Sequence, residues 1–236
     1  MDIALVTGGN RGIGYEIAAR LVAVGMTVVL TARDPARLAD AARRLPVCPV
    51  VLDVTDPSTI SAAAEYVDER FGRLDVLVNN AGVAGDVRAQ APSAADLSVV
   101  RAVFETNYFG VVGVTNAMVP LLRRSGCARI VNVSSGLGSL TRMSDPADYF
   151  VGLPPSAAYA PAKTALNAVT VQYAKELPDF RVNAVDPGPC DTDFTRGRYP
   201  VVRTAAQGAA VAVRYATIDS SGPTGGYFNE TGPVPW

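Results

Sequence analysis

Apolar residues gather in short runs along the chain, each followed by a glycine or polar turn and then by a longer segment of helical period. The runs Ile3–Thr7, Thr27–Thr31, Val47–Leu52, Val76–Asn79, Arg129–Ser134 and Arg181–Val185 are rich in Val, Ile and Leu. They alternate little, as strands buried on both faces of a parallel sheet do. Between them the pattern predicts helices over Gly14–Val24, Pro35–Leu45, Pro57–Phe71, Ala95–Leu122, Ser156–Leu177 and Thr204–Tyr215, with a last strand near Gly226–Asn229. Such alternation predicts an α/β fold, a doubly wound parallel sheet flanked by helices on both faces with right-handed crossovers. No linker or repeat interrupts it, so one domain is expected over residues 1–236.

Composition narrows the function more than the fold. Hydrophobic residues make up 49% and charged ones 18% of the 236 residues, which sets disorder aside. A formal charge of −1 gives no general pull toward nucleic acid or an anionic membrane. The apolar stretch Leu21–Leu30 falls short of the roughly 20 residues of a membrane span, and Met1-Asp2 runs into Ile3-Ala4 without a basic leader. Cys48, Cys127 and Cys190 are odd in number and widely spaced, so a reducing compartment, by default the cytoplasm, is expected. The chain has no histidine, which excludes Ser-His-Asp and Cys-His machinery. No Cys-x-x-Cys pair exists either, and no metal is expected. Acid–base chemistry is left to Tyr, Lys, Asp, Glu or Cys.

After the first strand comes Thr7-Gly8-Gly9-Asn10-Arg11-Gly12-Ile13-Gly14, which opens the first helix. Glycines let the backbone approach a pyrophosphate, and a helix N-terminus supplies N–H groups and a positive dipole end. The spacing differs from the common dinucleotide fingerprint, and a tight turn without ligand would share the pattern. With a strand before and a helix after, the turn predicts a Rossmann-type dinucleotide site. The second strand ends Thr31-Ala32-Arg33-Asp34, with Ala32 where an acid for the ribose hydroxyls of NAD is expected. Arg33 and Arg11 suit a 2′-phosphate, which favours NADPH/NADP+. Two solvated arginines, or Asp34 on the ribose, are the competing readings.

Further along stand Leu52-Asp53-Val54, Asn79-Asn80-Ala81-Gly82, Asn107 within Glu105-Thr106-Asn107-Tyr108, Arg129 to Ser135 (RIVNVSS), Tyr159-Ala160-Pro161-Ala162-Lys163, and Pro187-Gly188 before Thr192. With the glycine turn, these pieces in this order at strand–helix junctions resemble the short-chain dehydrogenase/reductase family over nearly the whole chain. The closest likeness is to its monomeric carbonyl reductase-like branch. Tyr159 and Lys163 stand at i and i+4, on one helix face. A neighbouring ammonium favours the phenolate, tuning a phenol whose reference pKa is near 10 toward proton donation to a carbonyl oxygen. The bland alternative is an amphipathic helix packed on the sheet.

The resemblance implies a catalytic set of Asn107, Ser135, Tyr159 and Lys163. Ser135 would bond the substrate oxygen, with Ser134 as rival on the opposite side of the strand. Asn107 would bend its helix and place a water next to Lys163. The implied cofactor set is Gly8, Asn10, Arg11, Gly12, Ile13, Gly14, Arg33, Asp53, Val54, Asn79, Ala81, Gly82, Tyr159, Lys163, Pro187, Gly188 and Thr192. Asp53 and Val54 would meet adenine and Thr192 the carboxamide, while Asn80 reads as structural.

Ser135 and Tyr159 stand 24 positions apart, from 135 to 159, longer than in compact members of the family. The segment of about 137–157 carries Leu140, Met143, Tyr149, Phe150, Leu153, Pro154 and Pro155. It is a surface loop or one wall of a substrate pocket. Residues 193–202, with Phe194, Tyr199 and Val201, would form a second wall. Such a lining suits an apolar ketone, aldehyde or quinone. Arg142, Arg196 and Arg198 would face an acidic group or solvent. The expected activity is NADPH-dependent reduction of a small-molecule carbonyl by a protein that is monomeric by preference. A pathway-specific ketoreductase and a non-catalytic NADPH sensor are the alternatives.

Overall fold

A computed structural model describes residues 1–195, 201 and 203–236. Its centre is an eight-stranded sheet of β1 (Ile3–Val6), β2 (Thr27–Ala32), β3 (Cys48–Val51), β4 (Val76–Asn79), β5 (Arg129–Val133), β6 (Arg181–Val185), β9 (Tyr227–Asn229) and β10 (Gly232–Pro233). The order is β10-β9-β6-β5-β4-β1-β2-β3. All neighbours run parallel except β9 and β10. Two-residue strands β7 (Cys190–Asp191) and β8 (Arg203–Thr204) pair separately; nothing in the hydrophobic pattern signalled them.

Alternate strand residues feed opposite layers, as the pleat requires. Leu5, Leu77, Ile130 and Val182 pack with α3 (Pro57–Phe71), α5 (Gly110–Leu122) and α7 (Tyr159–Glu176). Val6, Val78, Val131 and Val185 pack with α1 (Gly12–Ala23), α2 (Pro35–Ala42) and α8 (Ala205–Ala216). Pro49 lies in β3, a strand at the sheet edge, where a missing N–H is tolerated. Asp34 and Asp56 cap α2 and α3, each followed by a proline.

The expected helix over 95–122 is interrupted. α4 (Leu97–Phe104) passes into a π-helical turn over Glu105–Phe109 before α5 begins. The extra residue turns Asn107 inward, where it is fully buried. α7 starts at Tyr159, because the Ser156 hydroxyl already caps the Tyr159 N–H (2.9 Å). The segment after Ser135 holds α6 (Leu140–Ser144) and two 3₁₀ turns, Gly136–Gly138 and Tyr149–Gly152.

Candidate active site

The C-terminal ends of the strands open on a cleft of about 1100 Å³, where ligands bind in open α/β sheets. On the β1 side its floor is the turn from Gly8 to Gly14. Gly8 and Gly12 adopt φ of +62° and +57°, which a side chain resists. A Cβ on Gly14 would stand 2.3 Å from Asn80 Nδ2 and 2.6 Å from the Gly8 carbonyl. Asn80 donates to the carbonyls of Thr7 (2.9 Å) and Gly8 (3.2 Å). Thr7 Oγ1 in turn accepts from the N–H groups of Asn80 (2.9 Å) and Ala81 (3.0 Å). The turn is thus tied to the end of β4. No side chain caps α1 and its first turn holds no acid, so its N–H groups and dipole fit a pyrophosphate.

Where β2 ends, buried Ala32 and exposed Arg33 line the cleft with Leu52, Asp53 and Val54. Asp34 is committed elsewhere: it accepts from Ala36 N (3.0 Å) and Arg37 N (3.1 Å) and pairs with the Arg37 guanidinium at 3.3 Å. Arg33 has no carboxylate partner among the described residues. Arg11 does not join it. Its guanidinium forms an ion pair with Asp193, drawing the segment after β7 over the glycine turn, and a Cβ on Gly12 would meet Thr192 Cγ2 at 3.4 Å.

At the other end, α7 presents Tyr159 and Lys163 to the cleft. The Lys163 Nζ lies 5.9 Å from the Tyr159 ring centroid and donates to the Val133 carbonyl at 2.7 Å. No carboxylate pairs with it among the described residues, and burial pulls its pKa from 10.5 down to about 8. Phe194 packs 5.5 Å from the Tyr159 ring, centroid to centroid. Gly82 gives the close approach here, since a Cβ would stand 3.2 Å from Asn107 Oδ1 and 3.7 Å from Lys163 Nζ. Asn107 spends both ends of its amide on the backbone of Val83, accepting from N and donating to O, each at 2.8 Å.

The two serines after β5 both line the cleft but differ in burial and partners. Ser134 is buried and donates to Asn167 Oδ1 on α7 at 2.6 Å. Ser135 is half-buried, with Oγ accepting from Leu137 N at 3.3 Å beside the cleft. Of the expected cofactor set, all but Asn79 line the cleft. Asn79 is buried within the sheet layer, donating to Asn132 Oδ1 (2.9 Å) and Thr115 Oγ1 (3.1 Å). β4 points it away, and Asn80, read as structural, is the asparagine that both lines the cleft and holds the turn.

From the segment after Ser135, Tyr149, Phe150 and Leu153 reach the cleft, whereas Leu140 is exposed and lies off it. A Cβ on Gly136 would stand 2.2 Å from Phe150 Cζ, so this aromatic wall seats directly on the serine turn. Arg142 is half-buried and does not line the cleft. It donates to Asp148 at 2.8 Å, approaches Asp186 at 3.8 Å and lies 4.5 Å over the Phe150 ring. The chain end backs this wall: Ser139 donates to Pro235 O (2.6 Å) and Thr141 N to Trp236 O (2.9 Å). Arg196, Arg198 and Tyr199 lie outside the described residues, and Val201 is not part of the lining.

Asp186 escaped the sequence reading, though it stands directly before Pro187-Gly188. Buried at the cleft, it accepts from Gly188 N at 2.9 Å and from the Gly136 N–H, and burial pushes its carboxyl above the usual range. Leu52, Thr106 and Cys190 also line the cleft, and only their neighbourhood to quoted motifs marked them.

A parallel sheet with a glycine turn at its first crossover and a Tyr–Lys pair facing it across the cleft defines a dinucleotide-dependent oxidoreductase. The short chain dehydrogenase family model matches residues 2–202, and the chain belongs to that family, whose members bind a nicotinamide cofactor. It is 36% identical to salutaridine reductase of Papaver bracteatum, over 97% of this chain and 94% of the relative. That alignment runs over 297 positions against the 236 residues present here, so the relative carries segments without a counterpart in this chain. The solved salutaridine reductase of Papaver somniferum superposes with a TM-score of 0.84 at 32% identity, covering 98% of this chain and 100% of that one. A short chain dehydrogenase of Shigella flexneri complexed with NADP superposes with a TM-score of 0.85 at 26% identity, over 97% and 96%. The protein is an oxidoreductase of the carbonyl reductase-like branch. No helix among the described residues is long and apolar enough to cross a membrane.

Proposed function

We propose that the protein reduces an apolar ketone, aldehyde or quinone to an alcohol with NADPH, Tyr159 giving the proton. The observation that carries this reading is the buried Lys163 ammonium, 5.9 Å from the Tyr159 ring, at the end of a cleft that begins on the glycine turn. When bound, the reduced nicotinamide supplies the hydride. Ser135 Oγ donates a hydrogen bond to the carbonyl oxygen as charge gathers there, and the Tyr159 hydroxyl delivers its proton to the same oxygen. Lys163 stabilises the phenolate left behind. With both amide ends on Val83, Asn107 acts by holding the π-helical turn and the Gly82 backbone against Lys163.

NADPH over NADH is supported by Ala32 in place of an acid, by Asp34 being spent as a helix cap, and by exposed Arg33 beside them, which has no carboxylate partner among the described residues. Arg11 reaches a 2′-phosphate only by leaving Asp193. Tyr149, Phe150, Leu153 and Phe194 favour an apolar substrate, and the pairing of Arg142 with Asp148 removes its pull on an acid. Three free cysteines support a reducing compartment, and a monomer is the preferred state.

The test follows nicotinamide absorbance with NADPH or NADH and a panel of ketones, aldehydes and quinones. Carbonyl-dependent oxidation, faster with NADPH, is the expected result. Tight NADPH binding with no oxidation across the panel would overturn general carbonyl reduction and leave a pathway-specific ketoreductase or a sensor.

A further inference from the structure

Gln90 lies in the segment between β4 and α4, is 1% exposed, and is among the largest fully buried side chains. An uncharged amide at such depth must satisfy both its donors and its acceptor. Nε2 donates to the carbonyls of Ala84 (2.7 Å) and Asp86 (3.2 Å). Oε1 accepts from Ser156 Oγ (2.6 Å) and from the backbone N–H of Tyr159 (3.2 Å). Its own carbonyl accepts from Ala157 N at 2.8 Å. One side chain therefore joins the cleft wall that continues from Gly82 to the first residue of α7.

That junction is where α7 lacks a cap of its own: Ala158, at the N-cap position, offers no side-chain acceptor. The Tyr159 N–H is held by Ser156 Oγ and Gln90 Oε1 instead, with Ser156 itself oriented by Gln90. We infer that Gln90 is a positioning residue for Tyr159, setting the phenol against the wall that carries the cofactor side of the cleft. The inference rests on the carbonyl-reductase reading for its kinetic consequence and on the hydrogen bonds alone for its structural one.

The experiment compares wild type with Gln90→Met, Gln90→Glu and Ser156→Ala. A displacement of about 1 Å at a reacting group costs about 100-fold in rate. The expected result for Gln90→Met is a kcat lowered about 10- to 100-fold, per NADPH-binding site, with the NADPH Kd within about threefold. Gln90→Glu keeps the acceptor for Tyr159 and should fall between Gln90→Met and wild type. Amide exchange by mass spectrometry or NMR should quicken at Tyr159 and Ala160 while β5 amides stay unchanged. A kcat within twofold of wild type, or exchange quickened evenly across the molecule, would overturn the inference and leave Gln90 a mere core residue. Should Gln90→Met not fold, Ser156→Ala carries the same comparison. If wild type reduces no carbonyl, the functional reading falls, and the exchange pattern still decides whether Gln90 holds the start of α7.

Discussion

Replacing Lys163 by methionine separates the ammonium's chemical role from its effect on the fold. The side chain is 5% exposed, has no carboxylate partner among the described residues, and has its pKa pulled from 10.5 to about 8 by burial. At pH 7 that charge therefore costs the folded state about 3 kcal/mol relative to the unfolded chain. Methionine fills a similar volume without the charge. It also leaves the Val133 carbonyl without the 2.7 Å donor, a loss of about 1–2 kcal/mol. The net expectation is a ligand-free variant more stable by about 1–2 kcal/mol, raising Tm by about 2–8 °C. The sign with pH is fixed by the depressed pKa. Between about 8 and 10.5 the unfolded chain binds more protons, so wild type gains stability as pH rises through that window and the variant does not. The assay is thermal or urea unfolding of both proteins from pH 7 to 10.5, beside carbonyl-dependent NADPH oxidation at pH 7. Activity should fall about 100- to 10,000-fold. A variant less stable than wild type at pH 7, or a gap independent of pH, would refute the reasoning that desolvation dominates at this site.

Three further outcomes follow from the same geometry. Ser135→Ala should lower kcat about 100-fold or more with Tm nearly unchanged; Ser134→Ala, which leaves Asn167 Oδ1 without its 2.6 Å donor, should cost about 1–2 kcal/mol in urea unfolding and spare most activity. Ala32→Asp places a carboxylate beside Arg33 and should weaken NADP+ binding at least about tenfold by fluorescence titration while improving NAD+. Because burial raises the Asp186 pKa, its contribution to stability is full below the ordinary 3.8 and is lost as pH rises through the folded value. Asp186→Asn should therefore flatten that part of the pH–stability curve.

The glycine turn, the strand runs and the Tyr159–Lys163 spacing were legible because each is a local requirement. A left-handed turn demands glycine at its own position, and residues four apart on a helix face the same side whatever surrounds them. The choice of Ser135 over Ser134 came from the resemblance of the RIVNVSS run, and the structure adds that Ser134 is spent on Asn167. Asn79 was misplaced because a motif names four consecutive residues, while the pleat sends neighbours to opposite sides. A bend at Asn107 was implied by the resemblance alone, and no local pattern marked the π-helical turn at Glu105–Phe109: its inducement, the Val83 backbone reaching Asn107, comes from 24 residues away.

The same division holds for the whole molecule. By itself the sequence determined the α/β alternation, the order of the motifs and the chemistry of the candidate proton donor, since these depend on periodicity and residue type. Only the tertiary structure decided that Arg142 is spent on Asp148, that Arg11 pairs with Asp193, that Asp186 lies buried beneath the serine turn, and that Gln90 holds the first N–H of α7. Each of these polar groups takes its role from a partner distant in sequence or from burial, and neither burial nor partnership exists until the sheet has brought the segments together.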